Sequence, residues 1–138
     1  MIVDTADIDL PDVLAEVVAA FQRYERALVV NDVGVLDELF WHDPRVQRFG
    51  IGENLYGIEA IRVFRQHRPS AGLARTLEST EIHTFGRDFA VANTEFYRGD
   101  KRQCGRQSQT WVRLAQGWRI VSAHVSIIET PQGAGPGC

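Results

Sequence analysis

The chain has 138 residues, of which 44% are hydrophobic and 24% are charged, a length and composition that fit one domain with a substantial core. Its formal net charge of −3 excludes the strongly basic surface of a nucleic-acid-binding protein. No apolar run reaches the roughly 18 residues of a membrane span, and the N-terminus lacks the basic and apolar regions of a signal peptide. We therefore expect a single cytoplasmic domain over residues 1–138, with a structured core over about 9–128 and no membrane or nucleic-acid partner.

The first predicted helix begins at Asp9-Leu-Pro-Asp12, where an aspartate can cap the helix and a proline fits its first turn. It ends near Asn31. Apolar residues recur along it at helical spacing and form one buried stripe: Val13, Leu14, Val17, Val18, Phe21 and Leu28. Tyr24 and Glu25 lie within this stripe, so both are expected to face the interior.

A second helix is predicted from Val33 to Phe40, a short strand over 45–50, and a third helix over 57–68 that ends before a proline. In the short strand, Arg48 shares a face with a valine and a glycine, which indicates an inward position. In the third helix, Arg68 follows the apolar stripe at a spacing of four residues and points along its buried side.

Four strands follow, at about 74–85, 88–98, 104–114 and 118–128. The connections between them are short enough for antiparallel hairpins, and the glycine-rich residues 130–138 are predicted to be a flexible tail. Helices segregated from an antiparallel meander indicate an α+β domain. A long first helix across a curved sheet would leave a cone with an open mouth.

The last two predicted strands each have two distinct faces. In the final strand, Ser122, His124 and Ser126 share a partly polar face, whereas the opposite face, which begins at Val121, is wholly apolar. The hydroxyls and the imidazole indicate that the partly polar face lines a cavity. In the preceding strand, Gln107, Gln109 and Trp111 share a face opposite Arg106 and Ser108.

Neither a metal site nor a disulfide is expected. No second histidine stands at ligand spacing from His124, and no serine lies in a nucleophile-elbow motif. The two cysteines, Cys104 and Cys138, have no metal-binding spacing, and a bond between a strand end and a glycine-rich tail is not predicted.

Six segments together resemble a known family. They are Glu38-Leu-Phe-Trp-His-Asp-Pro44, Glu53-Asn-Leu-Tyr-Gly57, Gly72-Leu-Ala-Arg-Thr76, Phe85-Gly-Arg-Asp-Phe-Ala-Val91, Gly105-Arg-Gln-Ser-Gln-Thr-Trp111 and Gly117-Trp-Arg-Ile-Val-Ser-Ala-His-Val-Ser126. The match, which spans roughly residues 10–128, is to the AtzH-like family. That family belongs to the cone-shaped fold shared by ketosteroid isomerase, SnoaL-like polyketide cyclases and nuclear transport factor 2.

The resemblance implies a role in oxalurate or cyanuric acid catabolism. One family member is described as a decarboxylating amidohydrolase acting on carboxylated ureas of the dicarboxyurea type. Other members are called oxalurate-catabolism proteins, are encoded near amidases and have no proven activity. The resemblance thus implies either a cofactor-independent enzyme or a partner of an amidase.

The family's important tyrosine and arginine match Tyr24 and Arg48, through the contexts Phe-x-Arg-Tyr-Glu and Val-x-Arg-Phe-Gly. Tyr24 would donate a hydrogen bond or act as a general acid, although a tyrosine on a buried stripe also fits a core position. Arg48 would bind a carboxylate with its planar guanidinium. Its structural alternative is an ion pair with Glu25 or Glu95, of which Glu95 is better read as a counter-ion than as a base.

The other candidate site residues are contacts for an anionic, urea-like substrate: Arg75, Arg68, Trp41, Tyr56, Gln107, Gln109, Trp111 and His124. Several converging arginines would raise the local positive potential and favour small anions. Taken singly, Arg75 and Arg68 also fit solvated ends of a strand and a helix, and the family match favours Arg75. The glutamines would orient an amide, and the aromatic residues would form cavity walls. His124 is more often a structural hydrogen bonder than a proton shuttle.

Three functions remain open. The first is an enzyme on a small carboxylated urea or amide. The second is a non-catalytic dimeric partner of an amidase, and a homodimer is expected in both cases. The third and weakest is an isomerase or cyclase on an apolar substrate, which the number of arginines argues against.

Overall fold

A computed structural model describes residues 2–99 and 103–129. Its helices are α1 (Pro11–Val29), α2 (Val33–Glu38) and α3 (Ile58–His67), and its strands are β1 (Gln47–Phe49), β2 (Asn54–Tyr56), β3 (Thr76–Phe85), β4 (Phe89–Tyr97), β5 (Gln103–Leu114) and β6 (Gly117–Glu129). One six-stranded sheet has the order β2-β1-β6-β5-β4-β3. The strands β1 and β6 pair in parallel, and the other neighbouring strands pair antiparallel. The predicted α+β fold, with three helices on a mostly antiparallel sheet, is confirmed.

The start of α1 differs from the predicted cap. Asp9 has a positive φ of 58° and does not cap the helix, because Leu10 occupies the N-cap position without a side-chain hydrogen bond. Instead the Asp9 carboxylate accepts a hydrogen bond of 2.8 Å from the backbone N–H of Thr84 on β3 and lies 2.8 Å from Nδ1 of His83. The residues before α1, which precede the predicted structured core, include a short 3₁₀ turn over Thr5–Asp7. Asp9 thus links the segment before α1 to strand β3.

After β1 the chain forms a small hairpin, in which β1 pairs with β2. The chain then enters α3 through Gly57, whose φ is 88°. A Cβ at this position would lie 3.2 Å from the carbonyl oxygen of Pro44. The positive φ and the close approach together explain why a glycine begins this helix.

The pairing of β5 with β6 contains a bulge. Thr110 pairs with Ser122, whereas Trp111 pairs with Ile120, so Val121 is an extra residue in the ladder. The alternation of inner and outer side chains therefore slips by one residue at this point.

This slip reverses part of the predicted cavity face. Beyond the bulge, Ala123 and Val125 face the interior, whereas Ser122 and His124 are exposed on the outer face. The prediction that the hydroxyl and imidazole face lines a cavity is wrong. The interior face carries Gln107, Gln109 and Trp111 of β5 instead, all of them buried as predicted.

The core lies between α1 and the inner face of the sheet, with Val13 and Val17 of the helix fully buried. Cys104 is also fully buried and is disulfide-bonded, so the expectation that no disulfide forms is wrong. Cys138 and the tail over 130–138 lie outside the described residues. Within the described ranges, no helix is long and apolar enough to cross a membrane.

Candidate functional site

Arg48 and Arg68 share the ring of Phe64. Arg48 lies on β1 and is 8% exposed, and Arg68 is the C-terminal cap of α3, four residues after Phe64. Their guanidinium carbons lie 5.4 Å and 5.8 Å from the ring centroid, within the range of a cation–π contact. Arg48 donates to Glu53 at 3.3 Å, a long distance for a charge-assisted hydrogen bond. The end of α3 and the inward side of β1 therefore place two guanidinium groups beside one aromatic ring.

Arg75 and Arg98 share a second ring, that of Phe96 on β4. Their guanidinium carbons lie 4.3 Å and 5.2 Å from its centroid. Gly105 faces this ring from the neighbouring strand β5, and a Cβ there would lie only 2.2 Å from the Phe96 ring. Because Gly105 has no side chain, the Phe96 ring can pack against the sheet here and contact both arginines.

Arg75 is the most completely buried cation of the four, with a side-chain exposure of 0%. Its Nε and Nη2 donate to the two carboxylate oxygens of Glu25 at 2.9 Å and 2.7 Å, and Nη2 also donates to the side-chain oxygen of Gln107 at 3.0 Å. A guanidinium buried this deeply is stable only with such partners. Glu25, which was one of two alternative partners considered for Arg48, therefore neutralises Arg75 instead.

Several buried donors of this cluster have no hydrogen-bond partner within residues 2–99 and 103–129. They are Nε and Nη2 of Arg68, Nη1 of Arg75 and Nε2 of Gln107. Each is an N–H group, and a buried donor left without an acceptor costs about 1–3 kcal/mol. The cluster is thus built to donate hydrogen bonds to an acceptor, such as a carboxylate or a carbonyl oxygen.

The four arginines also act on one another electrostatically. Burial is the main cause that lowers the pKa of Arg68, and repulsion by Arg48 lowers it further. Although Arg98 is exposed overall, burial of part of its side chain also lowers its pKa, and repulsion by Arg75 and Arg48 adds to this effect. Tyr24 acts on both Arg68 and Arg98 in the opposite direction, so it lies within the same electrostatic environment.

Helix α1 supplies both a tyrosine and a carboxylate to this region. Tyr24 is 4% exposed, and its ring centroid lies 6.3 Å from that of Phe40. The next residue, Glu25, forms the ion pair with Arg75. Consecutive residues of one helix turn thus bring a phenol hydroxyl and the counter-ion of a cation to the same cluster.

A fifth arginine, which lies beside the cluster and is buried, has a structural role. Arg65 is 2% exposed, donates to Asp37 of α2 at 2.8 Å and lies 4.4 Å from the ring of Phe40. This pair joins α3 to α2 beside the cluster, and its charges balance each other.

The predicted site residues fall into two groups. The structure brings together Tyr24, Arg48, Arg68, Arg75 and Gln107. It does not bring the remaining five into this cluster.

Gln109 and Trp111 belong to the core, where the indole N–H donates to the amide oxygen of Gln109 at 3.1 Å and both residues are at most 1% exposed. Trp41 lies under the guanidinium of Arg45 at 4.8 Å and lines a separate cavity together with Arg119.

Tyr56 and His124 lie on the surface. Tyr56 is 59% exposed and packs edge-on against Phe49, at 6.0 Å between ring centroids. His124 is exposed on the outer face of β6 and contacts the same phenylalanine at 5.8 Å. The prediction that both residues line the cavity is therefore wrong. For His124, the bulge in β6 explains why the side chain lies on the outer face.

Arg98 was not among the predicted site residues, because it stands at the very end of the strand predicted over 88–98. The sequence nevertheless contained a signal for it. In β4, Thr94 and Phe96 are buried at alternate positions, and continuing this alternation by one step leads to Arg98. Within the described part of the chain, no group of three His, Cys, Asp or Glu side chains could hold a metal ion.

Comparisons with known proteins agree with this architecture. The sequence matches the AtzH-like family over residues 6–131. A crystal structure of a protein of unknown function from the DUF3225 family of Pectobacterium atrosepticum is 60% identical, with a TM-score of 0.90 over 92% of this chain and 99% of that one. A cystatin-like fold protein from Burkholderia xenovorans is 48% identical, with a TM-score of 0.86 over 90% of this chain and 98% of that one.

A nuclear transport factor 2-like superfamily protein from Salmonella enterica is 25% identical, with a TM-score of 0.69 over 92% of this chain and 98% of that one. No curated protein matches the sequence. The family and the fold together suggest a small binding or catalytic protein. The match over residues 6–131 covers most of the domain, and the chain belongs to the AtzH-like family.

Proposed function

We propose that the arginine cluster binds a small carboxylated urea or amide, and that the protein removes the carboxyl group as a cofactor-independent decarboxylating amidohydrolase. The observation that carries this proposal is the set of buried N–H donors on Arg68, Arg75 and Gln107 that have no acceptor among the described residues. A carboxylate and a neighbouring carbonyl would supply the missing acceptors. Membership of a family associated with oxalurate and cyanuric acid catabolism supports the same substrate class.

The charges of the cluster favour an anion. Among the described residues, four arginines meet two carboxylates, those of Glu25 and Glu53, which leaves two positive charges unbalanced. Because Arg48, the side chain of Arg75 and part of Arg68 are buried, solvent screens the charge of the cluster less than it would on the surface. An anionic ligand would therefore gain more here than on the protein surface.

In the proposed reaction, an N-carboxylate loses carbon dioxide. The bond between the nitrogen and the carboxyl carbon breaks, and its electron pair stays on the nitrogen and spreads onto the adjacent carbonyl oxygen. Nη1 of Arg75 and Nε2 of Gln107 are the donors that would stabilise this developing charge. Tyr24 then gives its phenolic proton to the nitrogen, and water returns a proton to the tyrosine.

This route assigns no nucleophile to the protein. Breaking the bond needs only a held carboxylate, stabilised charge on the carbonyl oxygen and a proton for the nitrogen. Arg48 would orient the leaving carboxylate with its planar guanidinium. The overall change consumes one proton, releases one carbon dioxide and leaves an amide or urea N–H in place of the N-carboxylate.

The proposal is tested by thermal shift with sodium oxalurate, malonate, oxamate, allophanate and biuret. It is followed by an assay of carbon dioxide release from allophanate, the compound of this set that carries an N-carboxylate. A ligand at one hundred times its dissociation constant should stabilise the protein by about 2.7 kcal/mol. We expect anions to raise Tm and uncharged biuret to have no effect.

Two variants complete the test. Tyr24→Phe should keep anion binding and lose at least 100-fold in turnover, because it removes only the proton donor. Arg48→Met, which keeps much of the side-chain volume, should weaken binding. If no anion shifts Tm of the folded wild type, the anion site is refuted. If anions bind and allophanate is not decarboxylated, the chain is better explained as the non-catalytic partner of an amidase.

Two expected partners remain predictions, a second copy of the chain and an amidase. The outer face of the sheet, which carries Asn93, Ser108 and His124, is the surface that would be available to either of them.

A further inference from the structure

The four arginines of the cluster form two tiers. The inner tier consists of Arg48 and Arg75, which are buried and each bonded to a carboxylate. The outer tier consists of Arg68 and Arg98, which are more exposed and form no ion pair with any carboxylate of the described residues. The charge that the protein leaves unbalanced therefore belongs to the outer tier.

The outer arginines approach from two different elements. Arg68 is the residue at which α3 ends, and Arg98 directly follows β4, one residue before Gly99 with its φ of 104°. Phe64 and Phe96 each hold one outer arginine beside an inner one. The aromatic rings thus offset part of the repulsion between like charges and keep the outer pair close to the binding region.

The donors of the outer tier are only partly used. Nε and Nη2 of Arg68 are both buried and have no partner in the described ranges. Two cations that repel each other are brought together most effectively by an anion placed between them. A second carboxylate of the ligand has the charge and the acceptor atoms for this position.

We infer that Arg68 and Arg98 jointly bind a second carboxylate of the ligand and make the site selective for dianions over monoanions of the same shape. This inference rests on the proposed anion site and specifies its substrate class. The inner tier, with Tyr24 and Gln107, would hold the reacting end, and the outer tier the distal carboxylate. Arg98 is then a specificity-determining residue.

The test compares matched pairs of ligands. Malonate and succinate are measured against their monoamides, malonamate and succinamate, which replace one carboxylate by an uncharged group of nearly equal size. Two lengths are used so that the span of the ligand does not decide the result. Dissociation constants are determined by calorimetry at constant ionic strength, because screening by salt would otherwise differ between the ligands.

For the wild type, we expect the better-fitting dianion to bind at least tenfold more tightly than its monoamide. Arg98→Gln and Arg68→Gln should each reduce this preference by about tenfold, the effect of one charge-assisted hydrogen bond, and change the affinity for the monoamide less than threefold. Arg87→Gln is the control for net charge. It removes an exposed arginine that pairs with Asp12 and should leave the preference unchanged.

Each other outcome overturns the inference in a recognisable way. If Arg98→Gln weakens both members of a pair equally, or if the wild type prefers neither, the outer tier does not select dianions and the proposed function is unaffected. If the wild type binds neither acid, the proposed anion site fails together with the inference. Arg98 is exposed, so its variant should remain folded even if Arg68→Gln does not, and Tm of each variant is measured first.

Discussion

The ion pair between Glu25 and Arg75 is the interaction whose loss should affect the cluster most. The guanidinium is 0% exposed and the carboxylate 17% exposed, and two hydrogen bonds of 2.9 Å and 2.7 Å join them. The substitution Glu25→Gln keeps the shape of the side chain and one acceptor oxygen. It removes the negative charge and leaves a buried cation without its counter-ion.

The expected loss follows from this geometry. Removing one partner of a buried ion pair costs roughly 3–5 kcal/mol. The lower end applies here, because the glutamine oxygen can still accept one bond and because Gln107 and Phe96 still contact Arg75. An entropy of unfolding of about 2.1 cal/mol/K per residue over 138 residues converts a loss of about 3 kcal/mol into a fall in Tm of about 10 °C.

Urea unfolding followed by tryptophan fluorescence measures this change, since Trp111 and Trp118 are both buried. The matched control is Glu38→Gln, which breaks the ion pair with Arg23, whose side chains are 43% and 48% exposed, and should cost less than about 1 kcal/mol. Replacing both members of the buried pair, Glu25→Gln with Arg75→Met, should recover part of the loss. Equal losses for Glu25→Gln and Glu38→Gln would refute the reasoning.

Two further predictions concern residues around the site. Gly105→Ala should destabilise the protein by about 1–3 kcal/mol and weaken malonate binding, because its Cβ would displace the Phe96 ring; unchanged urea unfolding would contradict this. His83→Gln should flatten the dependence of Tm on pH. The pKa of His83 is raised above 6.5, mainly by its hydrogen bond to Asp9 and by attraction to that carboxylate. Contact with Glu81 adds a smaller effect in the same direction. The resulting stabilisation is complete below pH 6.5 and disappears as pH rises through the folded-state pKa, so a persistent slope above pH 6.5 in the variant would exclude His83 as its cause.

The sequence predicted the elements well because their boundaries carry local signals. Pro69 lies two residues beyond the end of α3, and Pro11 occupies the first position of α1. The inward position of Arg48 followed from simple alternation along a strand. The bulge at Val121 could not be predicted in this way, because both Ile120 and Val121 are apolar and the slip leaves no gap in the pattern.

Which residues form ion pairs within the site was harder to predict than which residues belong to it. Glu25 and Arg75 are separated by 50 positions in sequence, and only the packing of α1 against the start of β3 shows that they are partners. From the sequence, an ion pair between Glu25 and Arg48 was therefore one of the alternatives. It also favoured Arg75 over Arg68 as a ligand-binding residue, whereas Arg75 is the arginine whose charge the protein already balances.

The arrangement of the cluster argues against an apolar substrate for this site. An apolar molecule among Arg48, Arg68, Arg75 and Arg98 would remove water from the cations without providing acceptors for the unpartnered donors. The two phenylalanine rings do not change this, because each already contacts two guanidinium groups. An anion satisfies the same donors and separates the like charges. A fold does not determine a function, and in this chain it is the arginine charge left unbalanced by the described carboxylates that favours a small carboxylated ligand over an isomerase or cyclase substrate.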